Sequence, residues 1–587
     1  MNLWYLKDII RFKEEYEAIE DLQNKNPWLS NVEWIFEKVN ISVCAQIEVA
    51  EQSYSVKMIY PEFYPSVPPI LQPKDTSERW STHQYTGGTL CLEWGPDNWH
   101  SGLNGADMLI STYKLLCGET QAITLGDRGD VIESRHFLTL GQSLRQEIWR
   151  LFVTYDMKSI LLDYPTHVKR RILVVGLYQK IGIIFHIKKI MRSDDMETEN
   201  IRIPSGIRML EYQGNVYRTS ADIQKIKESN NLKEIEEIIY QADKLEPHLT
   251  EVVHNETKQI EEKKAEIILI VDNNDSSTLC AFYASDNCFW SIPIIIEDKP
   301  ISRLADNLSI LKNKNIGIVG VGSLGSKVAM SLARMGIGAM YLIDEDIFMP
   351  ENIQRHILTW EYVGIHKVDA LCNVIKMVNP SIKMETSNIK IGGQESTATY
   401  SNVLLNLSKC DLIIDATANP EVFNLLSMIS SNNSKPMVWG EVFAGGIGGL
   451  VARCRPGIDP NPQIMRSYFL NITAEQPDND LGQIEHDYTS TAQDGTVIIA
   501  SDADIEVIAG HCTKLIMDTL VNSESEYDSS MYLIGLSRKW IFTRGVFETY
   551  PIPTDHIPIQ DNTVKPNEAD YNDAKDLLIR LIEQGND

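Results

Sequence analysis

The sequence predicts a multidomain protein of mixed α/β and α+β class: an α+β unit, a β-rich connecting segment and a doubly wound parallel sheet. Three observations carry this. The chain's 587 residues exceed what one hydrophobic core organises, and domain sizes suggest about three or four units. The first 150 residues mix helical spacing with period-two alternation. From Lys314 the pattern becomes strand, glycine-rich turn, helix, strand, as a parallel sheet with crossover helices requires.

Residues 1–150 form the expected α+β unit. Ile9, Phe12, Tyr16 and Ile19 recur at helical spacing, Ile41 to Val49 and Tyr54 to Ile59 alternate as strands, and Gly105 to Leu116 reads as a helix. Between them YPEFYPSVPPI, Tyr60 to Ile70, has four prolines and must be an extended loop. Residues 151–305 hold short β-branched runs (Ile172 to Val175, Ile183 to His186, Ile267 to Val271, Ile292 to Ile296) around a helix-like stretch, Ile223 to Leu245. These runs name no chemistry, and a connecting domain is expected. Residues 306–545 carry the parallel sheet, with strands at Ile316 to Val319, Met340 to Ile343 and Leu412 to Ile414. Residues 546–587 form a tail with Pro551, Pro553 and Pro558 before a short helix, Ala574 to Ile582.

The net charge of -27 argues against a nucleic-acid partner, because neutralising phosphates takes concentrated Lys and Arg. No apolar run suits a membrane span or a secretory leader. The nine cysteines are scattered and never spaced as CxxC, so neither a disulfide framework nor a zinc site is expected, and a reducing cytoplasm fits.

Gly320, Gly322 and Gly325 follow a strand and open a helix in NIGIVGVGSLGSKVAMSLARMG, where backbone N–H groups and the helix dipole can cradle phosphate. A dinucleotide oxidoreductase would show the same glycines and an acid at the position of Asp344. The downstream residues separate the readings: Asp344-Glu345-Asp346, then Asn352, Arg355 and Lys367, then Asp415 ending a later strand. Two cations and further polar groups suit charge on a reacting triphosphate more than a hydride carrier, so ATP is expected.

In this combination residues 310–545 resemble the Rossmann-like, ThiF-type adenylation domain shared by ubiquitin-activating enzymes and bacterial enzymes that adenylate sulfur carriers. The resemblance implies that Asp344 holds the ribose, Gly320, Gly322, Gly325, Asp346, Asn352, Arg355 and Lys367 line the nucleotide site, and Asp415 lies near Mg2+. It implies attack of a carrier's C-terminal carboxylate on the α-phosphate with loss of pyrophosphate. A homodimer is expected on the same ground.

Cys91 ends the run HQYTGGTLCLEW after a Gly-Gly turn, which favours an accessible thiol. The order YPxxYPxxPP, GGxxCL, a tryptophan and an apolar helix resembles the ubiquitin-conjugating fold over most of residues 1–150, with Cys91 at the thioester position. That family's Asn, eight residues before the cysteine, is replaced by His83, which can donate a hydrogen bond to an oxyanion or assist deprotonation of the nucleophile. Asp97 and His100 follow in the next loop.

Activating enzymes usually pass the adenylate to a cysteine of their own. The loop expected to cross over the nucleotide, Pro477 to Ile498, has none and offers Thr489, Ser490 and Thr491, with His486 and Asp487 near in sequence. Three routes stay open: a hydroxyl forms an oxyester, with Ser490 or a neighbouring threonine favoured; a cysteine is replaced at Ala492; or Cys91 attacks the adenylate directly. Cys512 lies on an apolar helical stripe with Ile505, Ile508, Leu515 and Ile516 and reads as core, as does Cys454.

The resemblances together imply a fused conjugating and activating enzyme of a bacterial ubiquitin-like system, of the kind found in anti-phage defence. The implied partners are a ubiquitin-like protein and a target acceptor. Rival readings are a sulfur-carrier adenylyltransferase, a dinucleotide oxidoreductase and a non-catalytic scaffold that binds a ubiquitin-like protein.

Overall fold

A computed structural model of the chain describes residues 3–37, 40–81, 84–85, 87–125, 139–163, 165–179, 182–191, 197–200, 202–204, 209–249, 265–273, 278–285, 288–299, 303–474, 483–484, 489–491 and 497–559, with a few positions of the last twenty. It divides into two compact units, Met1–Glu147 and Ile148–Asp587. Among the described residues no helix is long and apolar enough to cross a membrane.

The first unit is a four-stranded antiparallel meander, Leu29–Glu37, Asn40–Val49, Gln52–Ile59 and Ile70–Pro73. Its helices, Ile9–Lys25 and Gly105–Leu125, complete a core that includes Ile19, Val43, Ile47, Val56, Met58, Leu109 and Leu116. The predicted stripe of the first helix is displaced. Ile9 is exposed, whereas Glu15, Ile19 and Leu22 face inward. The reason is a buried polar knot: Glu15 accepts hydrogen bonds from the Tyr60 hydroxyl at 2.9 Å, the Tyr64 hydroxyl and the Gly105 amide at 2.7 Å, and pairs with Arg11 at 3.0 Å. Burial pushes its carboxyl up, and the donors oppose that shift. Hydrophobic periodicity cannot anticipate a carboxylate whose partners lie 45 and 90 residues away.

In the second unit, residues 148–299 form a mixed sheet in which Trp149–Val153, Arg170–Gln179, Gly182–Met191, Leu210–Thr219, Glu266–Asp272 and Leu279–Ser285 are the main strands. Ile172 to Ile187 is two strands, as expected, paired antiparallel across Gln179 and Gly182. The helix-like stretch is two helices, Ile223–Glu228 and Leu232–Asp243, the second capped by Asn231.

The other sheet positions the candidate site. Its strands are β1 (Asn315–Val319), β2 (Ala339–Ile343), β3 (Lys383–Ser387), β4 (Leu412–Asp415), β5 (Met437–Phe443), β6 (Gly448–Cys454), β7 (Met531–Gly535) and β8 (Thr549–Pro551). Their order is β3-β2-β1-β4-β5-β6-β7-β8, with β1 to β5 parallel and the rest antiparallel. The order in which successive strands join the sheet reverses between β1 and β4, which opens a crevice at the carboxyl ends of those parallel strands. Helices α1 (Ser323–Arg334), α2 (Lys367–Val378), α3 (Pro420–Asn432), α4 (Pro462–Ala474) and α5 (Asp502–Val521) accompany the sheet. Lys327 of α1, 4% exposed, pairs with Asp502 at 2.7 Å and Glu506 at 2.9 Å, joining α1 to the first turns of α5. The predicted crossing loop differs from expectation: Gln483–Ile484, Thr489–Thr491 and Val497–Ile499 form a small antiparallel sheet.

Candidate functional sites

The glycine loop shows why each small residue stands where it does. Gly320 has φ +81°, and a Cβ there would meet Thr417 and Ala416 after β4. A Cβ on Gly325 would fall 1.9 Å from the Gly320 carbonyl oxygen, so only glycine lets α1 pack against the loop. Gly322, the N-cap of α1, has no neighbour within 4 Å of that direction and no side-chain cap. The loop therefore presents open space and a helix N-terminus to one cleft.

That cleft measures about 480 Å³ and brings together Gly320, Gly322, Asp344, Asp346, Asn352, Arg355 and Lys367. Seven of the expected residues thus share one cavity. Asp344, following β2, accepts from the Val321 amide at 2.8 Å and the Asp346 amide at 2.9 Å, which ties the acidic turn to the glycine loop. Burial pushes its carboxyl up, against the pull of the Asp346 amide and the Lys367 charge. Lys367 is buried at the start of α2 and pairs with Asp346 at 2.7 Å. Asn352 accepts from the Met349 amide at 3.0 Å, closing the turn before Arg355. Ile389 and Ile391 give the cleft an apolar wall.

His356 was not among the expected residues. It is 7% exposed; Nε2–H donates to the Val321 carbonyl at 2.8 Å, and Nδ1 accepts from the Leu358 amide at 3.1 Å. Both ring nitrogens are thereby used by the neutral form. Burial, with lesser repulsion from Lys367 and Lys327, pushes its pKa down to about 4. The unfolded chain binds the proton near 6.5 and the folded one near 4, so this stability is present above 6.5 and lost as pH falls toward 4. Between neutral pH and about 4, wild type is expected to lose on the order of 3 kcal/mol more stability than His356→Gln. Denaturant titrations at the two pH values check this. Its adjacency to Arg355 was the available signal, hidden because its partner Val321 lies 35 residues earlier.

Asp415 ends β4 but lines a different, small cavity with Asn419, Glu441 and Arg466, and Asn419 lines both spaces. Its carboxylate accepts from the Thr417 hydroxyl at 2.7 Å and amide at 3.0 Å, while burial pushes it up. Among the described residues no group of three or more His, Cys, Asp or Glu is set to hold a metal. The donors suit Mg2+, which takes one or two carboxylates and completes its shell with substrate phosphates and water.

In the first unit, Leu90 and Leu92 are buried and Cys91 between them is half-buried, so alternation turns the thiol outward. The Leu90 amide donates to the Leu71 carbonyl at 2.8 Å, and Asn98 staples the following loop by bonds to Gly95 and Glu93, each 2.7 Å. Cys91 opens into a groove of about 690 Å³ whose lining includes Pro61, Pro68, Tyr85, Trp94 and Asp97. The Tyr85 hydroxyl donates to Cys91 Sγ at 3.7 Å, a contact the sequence reading missed. His100 is exposed, its Nδ1 accepting from the Gly102 amide at 3.2 Å. His83 lies outside the described residues, as do Ala492, His486 and Asp487. Ser490 is on the central strand of the small sheet, its backbone opposite Ile484 and Ile498. Cys512 and Cys454 are buried, and burial pushes both thiols up to about 12, as core residues require.

In comparison with known proteins, residues 302–528 match the model of the ThiF family. The chain is 28% identical over 179 residues to ubiquitin-like modifier-activating enzyme 5 of Drosophila willistoni, covering 28% of this chain and 43% of that protein. It is 30% identical over 158 residues to the uncharacterized protein y4oA of Sinorhizobium fredii, covering 25% and 27%. The chain thus spans less than half the length of these curated relatives. The crystal structure of E. coli MccB with ATP aligns at 16% identity and a TM-score of 0.31, over 42% of this chain and 66% of that one.

Proposed function

We propose that the ThiF domain uses ATP to adenylate the C-terminus of a ubiquitin-like protein, and that Cys91 then takes the carrier as a thioester for ligation to a target. The observation that carries the first step is the single cleft holding the glycine loop, Asp344, Arg355 and Lys367. In it the Gly322 helix end receives phosphate, Arg355 and Lys367 offset charge at the α-phosphate, and Asp344 orients the ribose. The carrier's carboxylate oxygen attacks the α-phosphorus, and the bond to the departing pyrophosphate breaks. Mg2+ beside Asp415 would neutralise phosphate charge. For the second step, the Ser490 hydroxyl oxygen attacks the acyl carbon, its proton passing to solvent, and AMP leaves with the bonding pair; the Cys91 thiolate then attacks the oxyester carbon, and the Ser490 oxygen leaves with the bonding pair and takes up a proton.

Support for the second step is the outward thiol in its groove together with the likeness of the first unit's motifs to conjugating enzymes. Passage through an oxyester on Ser490 is the intermediate we favour, and a symmetric dimer is the expected assembly. The test is ATP–pyrophosphate exchange by the full chain with Mg2+ and ubiquitin-like proteins encoded beside it, followed by intact mass. Carrier-dependent exchange with a carrier-sized adduct is expected. Exchange stimulated by no such protein, or exchange without any adduct, would overturn the reading, the latter in favour of a sulfur-carrier adenylyltransferase.

A further inference from the structure

We infer that Tyr85 is a catalytic hydrogen-bond donor to the Cys91 sulfur, stabilising it as a leaving thiolate when an acyl group moves from Cys91 to an amine. This deepens the conjugating reading of Cys91 and rests on it for its biological use. The geometry is direct. The Tyr85 hydroxyl donates to Cys91 Sγ at 3.7 Å, a reach that sulfur's larger radius allows, and both residues line the same groove.

The groove is walled largely by proline, aliphatic residues and Trp94, and Asp97 is the one charged side chain among its described lining residues. A thiolate in a groove that also holds Asp97 gains from a neutral donor, and a hydrogen bond to a charged acceptor is stronger than one to a neutral acceptor. Tyr85 keeps its proton across the neutral range: the bond to Cys91 first, then burial and the charges of Cys91 and Asp97, hold its phenol above the ordinary value. The backbone fixes the placement, since the Tyr85 amide donates to the Thr89 carbonyl at 2.9 Å and Gly88, with φ +91°, lets the turn close.

In the step, an amine nitrogen attacks the thioester carbonyl carbon. The C–N bond forms, the C–S bond breaks, Sγ departs with the bonding pair, and the ammonium releases its proton to solvent. Tyr85 holds its own proton throughout and donates to the departing sulfur. Its role differs from that of an oxyanion donor, which would act on the carbonyl oxygen.

The test needs neither ATP nor a carrier, so it separates this role from the reading of the chain as a conjugating enzyme. The full chain is S-acetylated with phenyl thioacetate, and loss of acetyl from the Cys91 peptide on adding free lysine is followed by mass spectrometry, with Cys91→Ala as background. Tyr85→Phe is expected to slow this transfer about tenfold. Tyr85 is 55% exposed and the ring is retained, so the thermal midpoint should not move. An unchanged transfer rate would overturn the assignment. If wild type transfers acetyl as expected but shows no carrier adduct with ATP, the Tyr85 assignment stands and the conjugating reading falls.

Discussion

Cys91→Ala is expected to remove every thiol-labile carrier adduct while leaving ATP–pyrophosphate exchange at the wild-type rate. The thiol and the cleft lie in different compact units, Met1–Glu147 and Ile148–Asp587, and no described residue lining the cleft belongs to the first. The substitution removes one half-buried sulfur whose neighbours, Leu90 and Leu92, stay anchored in the core, so the first unit should keep its fold. Intact mass before and after reductant measures the outcome. A reduction-resistant, hydroxylamine-sensitive adduct that survives in Cys91→Ala and disappears in Ser490→Ala would mark the oxyester as an earlier station. A thiol-labile adduct of undiminished yield in Cys91→Ala would show that another cysteine carries the carrier.

Lys367→Ala is expected to lower ATP–pyrophosphate exchange by about two to three orders of magnitude, the usual loss when a preorganised group that meets developing charge is removed. Lys367 is buried beside the phosphate loop and held by Asp346 at 2.7 Å, so its ammonium is aimed before any nucleotide arrives. Asp346 is exposed and resolvates when the lysine is gone, so the stability loss should be small. A thermal midpoint near wild type beside lost exchange is the expected pair of results. Exchange within about twofold of wild type would remove Lys367 from the chemistry.

The parts of the cleft that sequence disclosed are those whose chemistry is local. Three glycines at fixed offsets, an acid after the second strand and a basic residue opening a helix are each readable within a few positions. His356, by contrast, is defined by a carbonyl on the glycine loop, and Glu441 and Arg466 reach the Asp415 cavity from β5 and α4. Those pairings belong to the sheet order β1-β4-β5, which the spacing of residues does not encode. Glu15 shows the same limit in the first unit: a carboxylate on the helix's inward face contradicts amphipathic patterning until Tyr60, Tyr64 and Gly105 arrive from elsewhere. The resemblance expects a donor eight residues before Cys91, whereas the observed donor, Tyr85, comes six before it.

All the described residues that line the glycine-loop cleft lie between Val319 and Val422, on the stretch of chain that runs from β1 to the start of α3. The strand bearing Ser490 comes later, and the unit bearing Cys91 comes earlier. The groups proposed to hold the nucleotide therefore come from one unbroken stretch of chain, and a substitution at either proposed acceptor, Ser490 or Cys91, alters none of them.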